Sequence, residues 1–139
     1  RGLGYVYKRQ ALSRFNNKLH FISPENLAIP DRVKDVLGPD CWVENNQLEK
    51  ILPDLDVLYV TRIQKERYPD IEDYLKVADI YRITAELLRD AKPELKVMHP
   101  LPRVSEISTD VDETPHAAYF KQAYNGVPVR MALLETLMD

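Results

Sequence analysis

The chain has little cysteine, little excess charge of either sign and no long apolar run, and each lack excludes a class of protein. Cys41 is the single cysteine among 139 residues, so no internal disulfide can form and a reducing cytoplasm is expected. The 19 basic residues are scattered among 22 acidic ones, which argues against a nucleic-acid partner. No apolar run approaches the roughly 18 residues of a membrane span. We therefore expect no membrane association.

Histidine is also scarce and widely spaced. His20, His99 and His116 lie far apart in the sequence, and one cysteine supplies no second thiolate, so no metal-ligand spacing can be recognised. The sequence thus predicts no metal site. What is present is the composition of an ordinary globular protein, with 45% hydrophobic and 29% charged residues, and a length typical of one domain.

Short apolar runs alternate with helical patterns along the chain. Strands separated by helices imply right-handed crossovers and a mostly parallel sheet with helices on both faces. The sequence therefore predicts an α/β fold with a three-layer, Rossmann-like sheet. The predicted strands are KLHFIS (18–23), CWVE (41–44), DVLYVTR (56–62), YRIT (81–84) and LKVMH (95–99), and the predicted helices are PDRVKDVLG (30–38), the segment around Leu48, Ile51 and Leu52, and AELLRDA (85–91).

The last part of the chain predicts a C-terminal helical pair. Thr114 is a good N-cap with a proline after it, and Gly126 supplies a stop after Tyr124, which delimits a first helix. Pro128 then opens a second helix, whose wide apolar stripe consists of Met131, Leu133, Leu134, Leu137 and Met138. That stripe either covers the sheet of this domain or docks on a partner outside it, and the sequence leaves both open.

A cationic segment, TRIQKER (61–67), follows the predicted strand DVLYV. Ligands of parallel sheets bind beyond the carboxyl ends of the strands, so this segment is a candidate anion site. Arg62 offers a planar fork of donors that matches a carboxylate, and Gln64 offers both a donor and an acceptor beside it. Glu66 follows Arg62 by four residues and can hold its guanidinium if the segment is helical. The alternative is a solvated charged loop.

A second segment of interest, HPLPR (99–103), follows the predicted strand LKVMH. The prolines fix the backbone and end the strand, so the carbonyls of Leu101 and Pro102 can be held at set angles toward a ligand. The alternative is a rigid surface turn. Taken together, TRIQKER and HPLPR describe a site for an amino acid, with a carboxylate held by Arg62 and N–H groups held by the two carbonyls.

DVLYVTRIQKER, followed by LKVMHPLPRVSEISTDVDETPHAAYFKQAYNGVPVRMALL, resembles the C-terminal, aspartate-binding domain of the aspartate carbamoyltransferases. The resemblance covers residues 11–139. The sister family, the ornithine carbamoyltransferases, has a cysteine between its histidine and its Leu-Pro and lacks the TRxQxER pattern. The pairing of both motifs therefore favours aspartate as the amino acid.

The resemblance implies a reaction and a role for each residue of the two motifs. The amino group of L-aspartate would attack carbamoyl phosphate, giving N-carbamoyl-L-aspartate and phosphate in pyrimidine biosynthesis, with no cofactor. By likeness, Arg62 binds a substrate carboxylate, Gln64 helps to hold aspartate and Glu66 braces Arg62. The carbonyls of Leu101 and Pro102 meet the carbamoyl NH₂ and the attacking amine, and the peptide between them is expected to be cis.

Other charged residues of the two motifs are expected beside the site rather than in it. His99 and Arg103 belong to this group, and so do Lys65 and Arg67, which are supporting residues or subunit contacts by likeness. Plain surface charge is the alternative for Arg103, Lys65 and Arg67. The resemblance also implies a homotrimer, with or without regulatory subunits.

The sequence departs from the family pattern in two places. It contains no counterpart of the N-terminal domain, whose Ser-Thr-Arg-Thr loop binds carbamoyl phosphate and which lends a Ser and a Lys to the neighbouring subunit. Residues 1–10, RGLGYVYKRQ, place Leu3 and Gly4 where the family has an Arg-Thr pair that binds aspartate, and we interpret them as a non-native leader on a truncated reading frame. We therefore expect no turnover from this chain alone, and the alternative function is a non-catalytic amino-acid-binding or scaffold module.

Overall fold

The computed structural model describes Lys8 and residues 11–24, 28–34, 37, 41–63 and 68–138. The chain divides into two compact units, Arg1–Leu48 and Glu49–Asp139. Within the described residues, no helix combines the length and the apolar character needed to cross a bilayer.

The first unit contains a small parallel sheet. Strands β1 (Leu19–Ile22) and β2 (Trp42–Asn45) pair in parallel, and helix α1 (Asp31–Lys34) lies between them in the chain. The Nζ of Lys34 is 2.7 Å from a carboxylate oxygen of Glu44 on β2, which ties the end of this short helix to the strand. The sequence order of strand, helix and strand thus produces the expected parallel pair.

The second unit repeats this arrangement with longer helices. Strands β3 (Val57–Tyr59) and β4 (Lys96–Met98) pair in parallel, and helix α2 (Ile71–Ile80) lies between them in the chain. Helix α3 (Tyr119–Met138) follows β4. The described residues of this unit also form three short 3-10 helices, at Leu52–Asp54, Leu87–Asp90 and Thr109–Glu113.

The core of the second unit forms around β3 and β4. Val97, in the middle of β4, is fully buried, and its backbone also bridges to Ala117 just before α3. β4 is thus paired along both of its edges, and a buried β-branched residue at its centre is typical of an inner strand of a parallel sheet. The other deeply buried apolar residues of this unit are Leu52, Ile83, Leu88, Leu95, Ile107, Val111 and Tyr119.

The α/β class with parallel strands is confirmed. Among the described residues, β1, β3 and β4 lie within predicted apolar runs and β2 ends one residue beyond CWVE (41–44). The predicted extended piece YRIT contributes an isolated parallel bridge from Ile83 to Ile107. Two predicted α-helices are wrong in type, because the segments around Leu52 and Leu88 form only 3-10 turns. Each segment is too short to offset the entropy cost of starting an α-helix. The burial of one leucine in each segment therefore determines its conformation. Helix α2 was missed altogether.

The predicted C-terminal helical pair is wrong, because α3 is one continuous helix from Tyr119 to Met138 with Pro128 inside it. Thr114 is not an N-cap: it follows the 3-10 helix Thr109–Glu113, and its backbone N–H donates to the carbonyl of Val111. A proline within a helix removes one backbone hydrogen bond without forcing the helix to end. The apolar stripe of α3 is exposed, with Met131 64%, Leu134 61% and Leu137 82% accessible.

Gly126 lies within α3 and does not end a helix, and its replacement by alanine tests this placement. We expect Gly126→Ala to raise the free energy of unfolding by about 0.5–1 kcal/mol, because alanine loses less backbone entropy in a helix. An added Cβ would lie 2.7 Å from Nη1 of Arg130, the mobile end of a side chain that can move aside. Urea denaturation of the variant measures the change, with Ala123→Gly as the reverse control. A loss of stability in Gly126→Ala would instead support the helix stop.

Candidate functional site

The two segments singled out in the sequence leave the same edge of one sheet. Tyr59 on β3 is paired with Met98 on β4, and the N–H of Val60 donates to the carbonyl of Met98 across 2.8 Å. The residues that follow, including Arg62 after β3 and His99 after β4, therefore begin side by side. This is the carboxyl edge at which parallel sheets bind ligands.

The turn after β4 has an unusual backbone. The peptide between Leu101 and Pro102 is cis, as predicted, and Leu101 has a φ of 51°. That left-handed conformation costs a non-glycine residue on the order of 1 kcal/mol, so neighbouring groups must hold it in place. Leu101 is half-buried and Pro102 is exposed.

His99 and Glu106 form a buried pair under this turn. The Nε2 of His99 is 2.7 Å from a carboxylate oxygen of Glu106, and the two side chains are only 2% and 8% exposed. The other ring nitrogen, Nδ1, is 2.9 Å from the backbone nitrogen of Leu101, which donates to it. His99 thus connects a buried carboxylate to the left-handed residue of the turn.

Glu106 is the anchor of this loop. Burial raises the pKa of its carboxyl, but the hydrogen bonds that the carboxylate accepts from backbone N–H groups, including its own and those of Val104 and Ser105, and from His99 outweigh burial and hold the pKa below its ordinary value. The N–H groups of Val104 and Ser105 both donate to the same oxygen of Glu106 at 3.1 Å. The carboxylate is therefore ionised at neutral pH and satisfied on both oxygens.

Gln122, on the first turns of α3, links the two strand ends. Its side-chain oxygen accepts a hydrogen bond from the N–H of His99 at 3.0 Å, and its amide nitrogen is 3.4 Å from the hydroxyl of Tyr59 on β3. Gln122 was not predicted from the sequence. An amide on a helix has no local pattern that marks it, since its partners lie 23 and 63 positions away.

Arg103 is held on the far side of the turn by a cluster of side chains. Its two terminal nitrogens each lie 2.5 Å from an oxygen of Asp112, and Nη1 also donates to the hydroxyl of Tyr119 at 3.1 Å. That hydroxyl in turn donates to Asp112. The guanidinium carbon lies 5.4 Å and 5.8 Å from the ring centroids of Tyr119 and Phe120, within the range of a cation–π interaction.

The electrostatics of this cluster follow from its contacts. The hydrogen bond from Arg103 holds the pKa of the Asp112 carboxyl below its ordinary value, and the same contact raises the pKa of the guanidinium. Burial, together with the hydrogen bond to Asp112, raises the pKa of Tyr119 to about 12. Arg103 is therefore an ionised group whose contacts tie the turn to the start of α3.

The sequence-predicted residues divide into those that the structure describes and those that it does not. Leu101, Pro102, His99 and Arg103 lie in one loop, and exposed Arg62 leaves the neighbouring strand. The predicted roles of Gln64 and Glu66, and the positions of Lys65 and Arg67, fall outside the described residues. The bracing of Arg62 by Glu66 thus stays a prediction.

The first unit has an open groove of about 350 Å³ at the carboxyl ends of its own strands. Ser23 follows β1, and Asn45 and Asn46 lie at the end of β2. Sequence reasoning did not single out these residues. The lining of this groove combines Phe21 with polar groups, including Glu44.

Comparisons with known proteins agree with these features. A family model described as "Aspartate/ornithine carbamoyltransferase, Asp/Orn binding domain" matches residues 8–137. The chain is 57% identical over 131 residues to the aspartate carbamoyltransferase catalytic subunit of Halorubrum lacusprofundi, and 51% identical over 129 residues to that of Archaeoglobus fulgidus. Each match covers 93% of this chain and 42% of the relative.

Solved structures of aspartate transcarbamoylases also superpose on this chain. The catalytic subunit of M. jannaschii aspartate transcarbamoylase superposes with a TM-score of 0.85 at 46% identity, over 92% of this chain and 42% of that one. A Trypanosoma cruzi aspartate transcarbamoylase in complex with aspartate and phosphate superposes with a TM-score of 0.70 at 36% identity, over 85% of this chain and 37% of that one. The chain therefore spans less than half the length of the proteins that it matches.

Proposed function

Because the chain belongs to the aspartate/ornithine carbamoyltransferase family, through its Asp/Orn-binding domain, we propose that it is the aspartate-binding half of an aspartate carbamoyltransferase. The proposed reaction joins L-aspartate and carbamoyl phosphate to give N-carbamoyl-L-aspartate and phosphate. The observation that carries the proposal is the turn at the sheet edge, where a cis Leu101–Pro102 peptide follows β4 beside the segment that bears Arg62.

Aspartate is favoured over ornithine as the amino acid. TRIQKER contains two arginines and a lysine, and cationic side chains suit a substrate with two carboxylates better than one with a second amine. The two relatives and two structures described above are aspartate enzymes. One of those structures contains aspartate and phosphate, which supports aspartate as the ligand of the corresponding site here.

In this proposal each group of the site binds or orients one part of the reactants. The guanidinium of Arg62 binds a carboxylate of aspartate, Gln64 holds the same substrate and Glu66 keeps Arg62 in place. The carbonyls of Leu101 and Pro102 accept hydrogen bonds from the attacking amine and the carbamoyl NH₂. The amine then attacks the carbamoyl carbon and phosphate leaves. Such a reaction depends mainly on orientation and on fixed dipoles rather than on a covalent intermediate.

The groups that bind carbamoyl phosphate in this proposal have to come from outside the 139 residues. We therefore place the chain in a larger assembly, for which the homotrimer of the family is the proposed form, acting in the cytoplasm. The 139 residues alone are expected to give no turnover. A colorimetric assay for carbamoyl-aspartate measures this, and turnover at enzyme-like rates would show that the site is complete without further residues.

Calorimetry with L-aspartate and with N-(phosphonacetyl)-L-aspartate tests the amino-acid site directly. We expect measurable heat with either ligand, none with L-ornithine, and at least about a tenfold loss of affinity in Arg62→Ala, since one carboxylate loses its charged partner. Arg89→Ala is the matched control, because Arg89 is an exposed arginine in the 3-10 helix that precedes β4. A folded chain that gives no heat with either ligand would leave the alternative, a non-catalytic scaffold module.

A further inference from the structure

We infer that His99 is a positioning residue for the proposed site: a neutral imidazole with its proton on Nε2, whose Nδ1 holds the backbone N–H of Leu101. The inference about the imidazole and the turn follows from the hydrogen bonds of the described residues. Its consequence for ligand binding rests on the proposed function.

The direction of each hydrogen bond determines the tautomer. A backbone N–H can only donate, so the contact of 2.9 Å between the Leu101 nitrogen and Nδ1 requires Nδ1 to accept. A ring nitrogen that accepts carries no proton. The ring proton of His99 is therefore on Nε2, where it donates to the carboxylate of Glu106 at 2.7 Å.

Glu106 makes this tautomer the stable one. Its first oxygen accepts from Nε2 of His99, and its second oxygen is occupied by the N–H groups of Val104 and Ser105. The carboxylate therefore cannot turn away from the imidazole without breaking these hydrogen bonds and leaving Nε2 of the buried His99 without an acceptor. His99 and Glu106 are both buried, so water cannot replace either of them in their hydrogen bond.

The chain of contacts ends at the groups that the proposed site uses. Gln122 accepts a hydrogen bond from the backbone N–H of His99, so the backbone of His99 is held as well as its ring. Nδ1 then holds Leu101 in its left-handed conformation. Two residues after Leu101, the side chain of Arg103 is held by Asp112. The carbonyls of Leu101 and Pro102 lie between these two anchored points and are oriented by them.

The same geometry argues against proton transfer to substrate as the role of His99. Both ring nitrogens have partners within the protein, and the side chain is 2% exposed. A general base must come within hydrogen-bond reach of the proton that it removes. The imidazole is committed to Leu101 and Glu106, so its contribution is to orientation.

Nuclear magnetic resonance of the full chain, with nitrogen-15 in its histidines, tests the tautomer without any ligand. Near neutral pH we expect His99 to show a protonated Nε2 and an unprotonated Nδ1, and we expect a slowly exchanging amide proton at Leu101. A protonated Nδ1, or a doubly protonated ring, would overturn the inference, because the N–H of Leu101 would then have no acceptor.

Two substitutions separate positioning from simple filling of space. His99→Asn keeps an acceptor near the place of Nδ1, whereas His99→Gln reaches toward Glu106 and supplies no acceptor there. We expect Leu101 amide exchange to accelerate at least about tenfold in the glutamine variant, and clearly less in the asparagine variant. Equal protection in the two variants, or better protection in His99→Gln, would contradict the inference. His20→Asn and His20→Gln are the controls, at a half-buried histidine of the first unit.

Titration of the same variants with L-aspartate connects the loop to the site. We expect affinity to fall about tenfold in His99→Gln and less in His99→Asn, following the order of Leu101 protection. Binding that is unchanged in both variants would overturn a positioning role in ligand binding. If the unmodified chain binds no aspartate while the tautomer and the order of protection are as stated, the proposed function fails and the positioning of the turn by His99 stands.

Discussion

Replacing Glu106 by alanine is expected to lower the free energy of unfolding by about 3 kcal/mol. The carboxylate accepts hydrogen bonds from the backbone N–H groups of Val104 and Ser105 and from Nε2 of His99. Nε2 of His99 would lose its partner in a buried position, since His99 is 2% exposed, and the N–H groups of the exposed residues Val104 and Ser105 would lose their acceptor as well. Denaturant unfolding, monitored by fluorescence, measures the change.

The control for this substitution is Glu94→Ala, at an exposed glutamate just before β4. We expect that change to stay within about 0.5 kcal/mol, as is usual for surface positions. Equal effects at the two positions would mean that the hydrogen bonds of Glu106 contribute nothing beyond those of a surface glutamate.

The stability supplied by Glu106 should also depend on pH. The pKa of its carboxyl is lower in the folded chain than the ordinary value of 4.5, so the unfolded chain binds a proton more readily. The contribution is therefore fully present above pH 4.5 and is lost as the pH falls through the folded pKa. Unfolding of Glu106→Gln and of the unmodified chain, compared from pH 7 downward, should give a difference in free energy that shrinks below pH 4.5. A difference that grows in that range would contradict this account.

Arg103→Ala is expected to cost about 2 kcal/mol of stability. The substitution removes both hydrogen bonds to Asp112, the contact with the Tyr119 hydroxyl and the packing of the guanidinium on two rings. The side chains of Arg103 and Asp112 are 16% and 24% exposed, so water compensates part of the loss and the cost is below that of a fully buried pair.

Arg103→Lys keeps the charge and separates its effect from that of geometry. A lysine cannot donate to both oxygens of Asp112 in the same way, so we expect it to recover less than half of the lost stability. Arg82→Ala, at an exposed arginine of the same unit with one long contact of 3.4 Å to Ser108, is the control. Full recovery by lysine would show that charge alone accounts for the contribution of Arg103.

The strands and the α/β class could be predicted because their signals are local. Short apolar and β-branched runs such as DVLYV and LKVMH are typical of buried strands, and the order of strands and helices then implies parallel pairing. Comparison with solved structures confirms this class. The helix signals were less reliable. Thr114, predicted to begin a helix, follows the end of a 3-10 helix, and Pro128, predicted to begin a second helix, lies inside α3.

The candidate site was predictable only in part. The order of strand and prolines identified the loop after β4, and the resemblance to the family implied its cis Leu101–Pro102 peptide. The sequence did not reveal what holds that loop, because a glutamate, a glutamine and a tyrosine carry no local pattern when their partners are distant. Arg103 had been expected as a supporting residue or subunit contact, with surface charge as the alternative. Its contacts with Asp112 and Tyr119 fix it in the loop, and its part in the site stays a prediction.

The sequence by itself determined where the strands lie, which two segments meet at their carboxyl edge and which family the motifs resemble, since these depend on the order of residues along the chain. Only the tertiary structure decided the tautomer of His99, the burial of Glu106 and the bridge that Gln122 makes between β3 and β4. The physical reason is that a buried polar group must find its partners wherever the fold brings them. For Gln122 those partners lie 23 and 63 residues away.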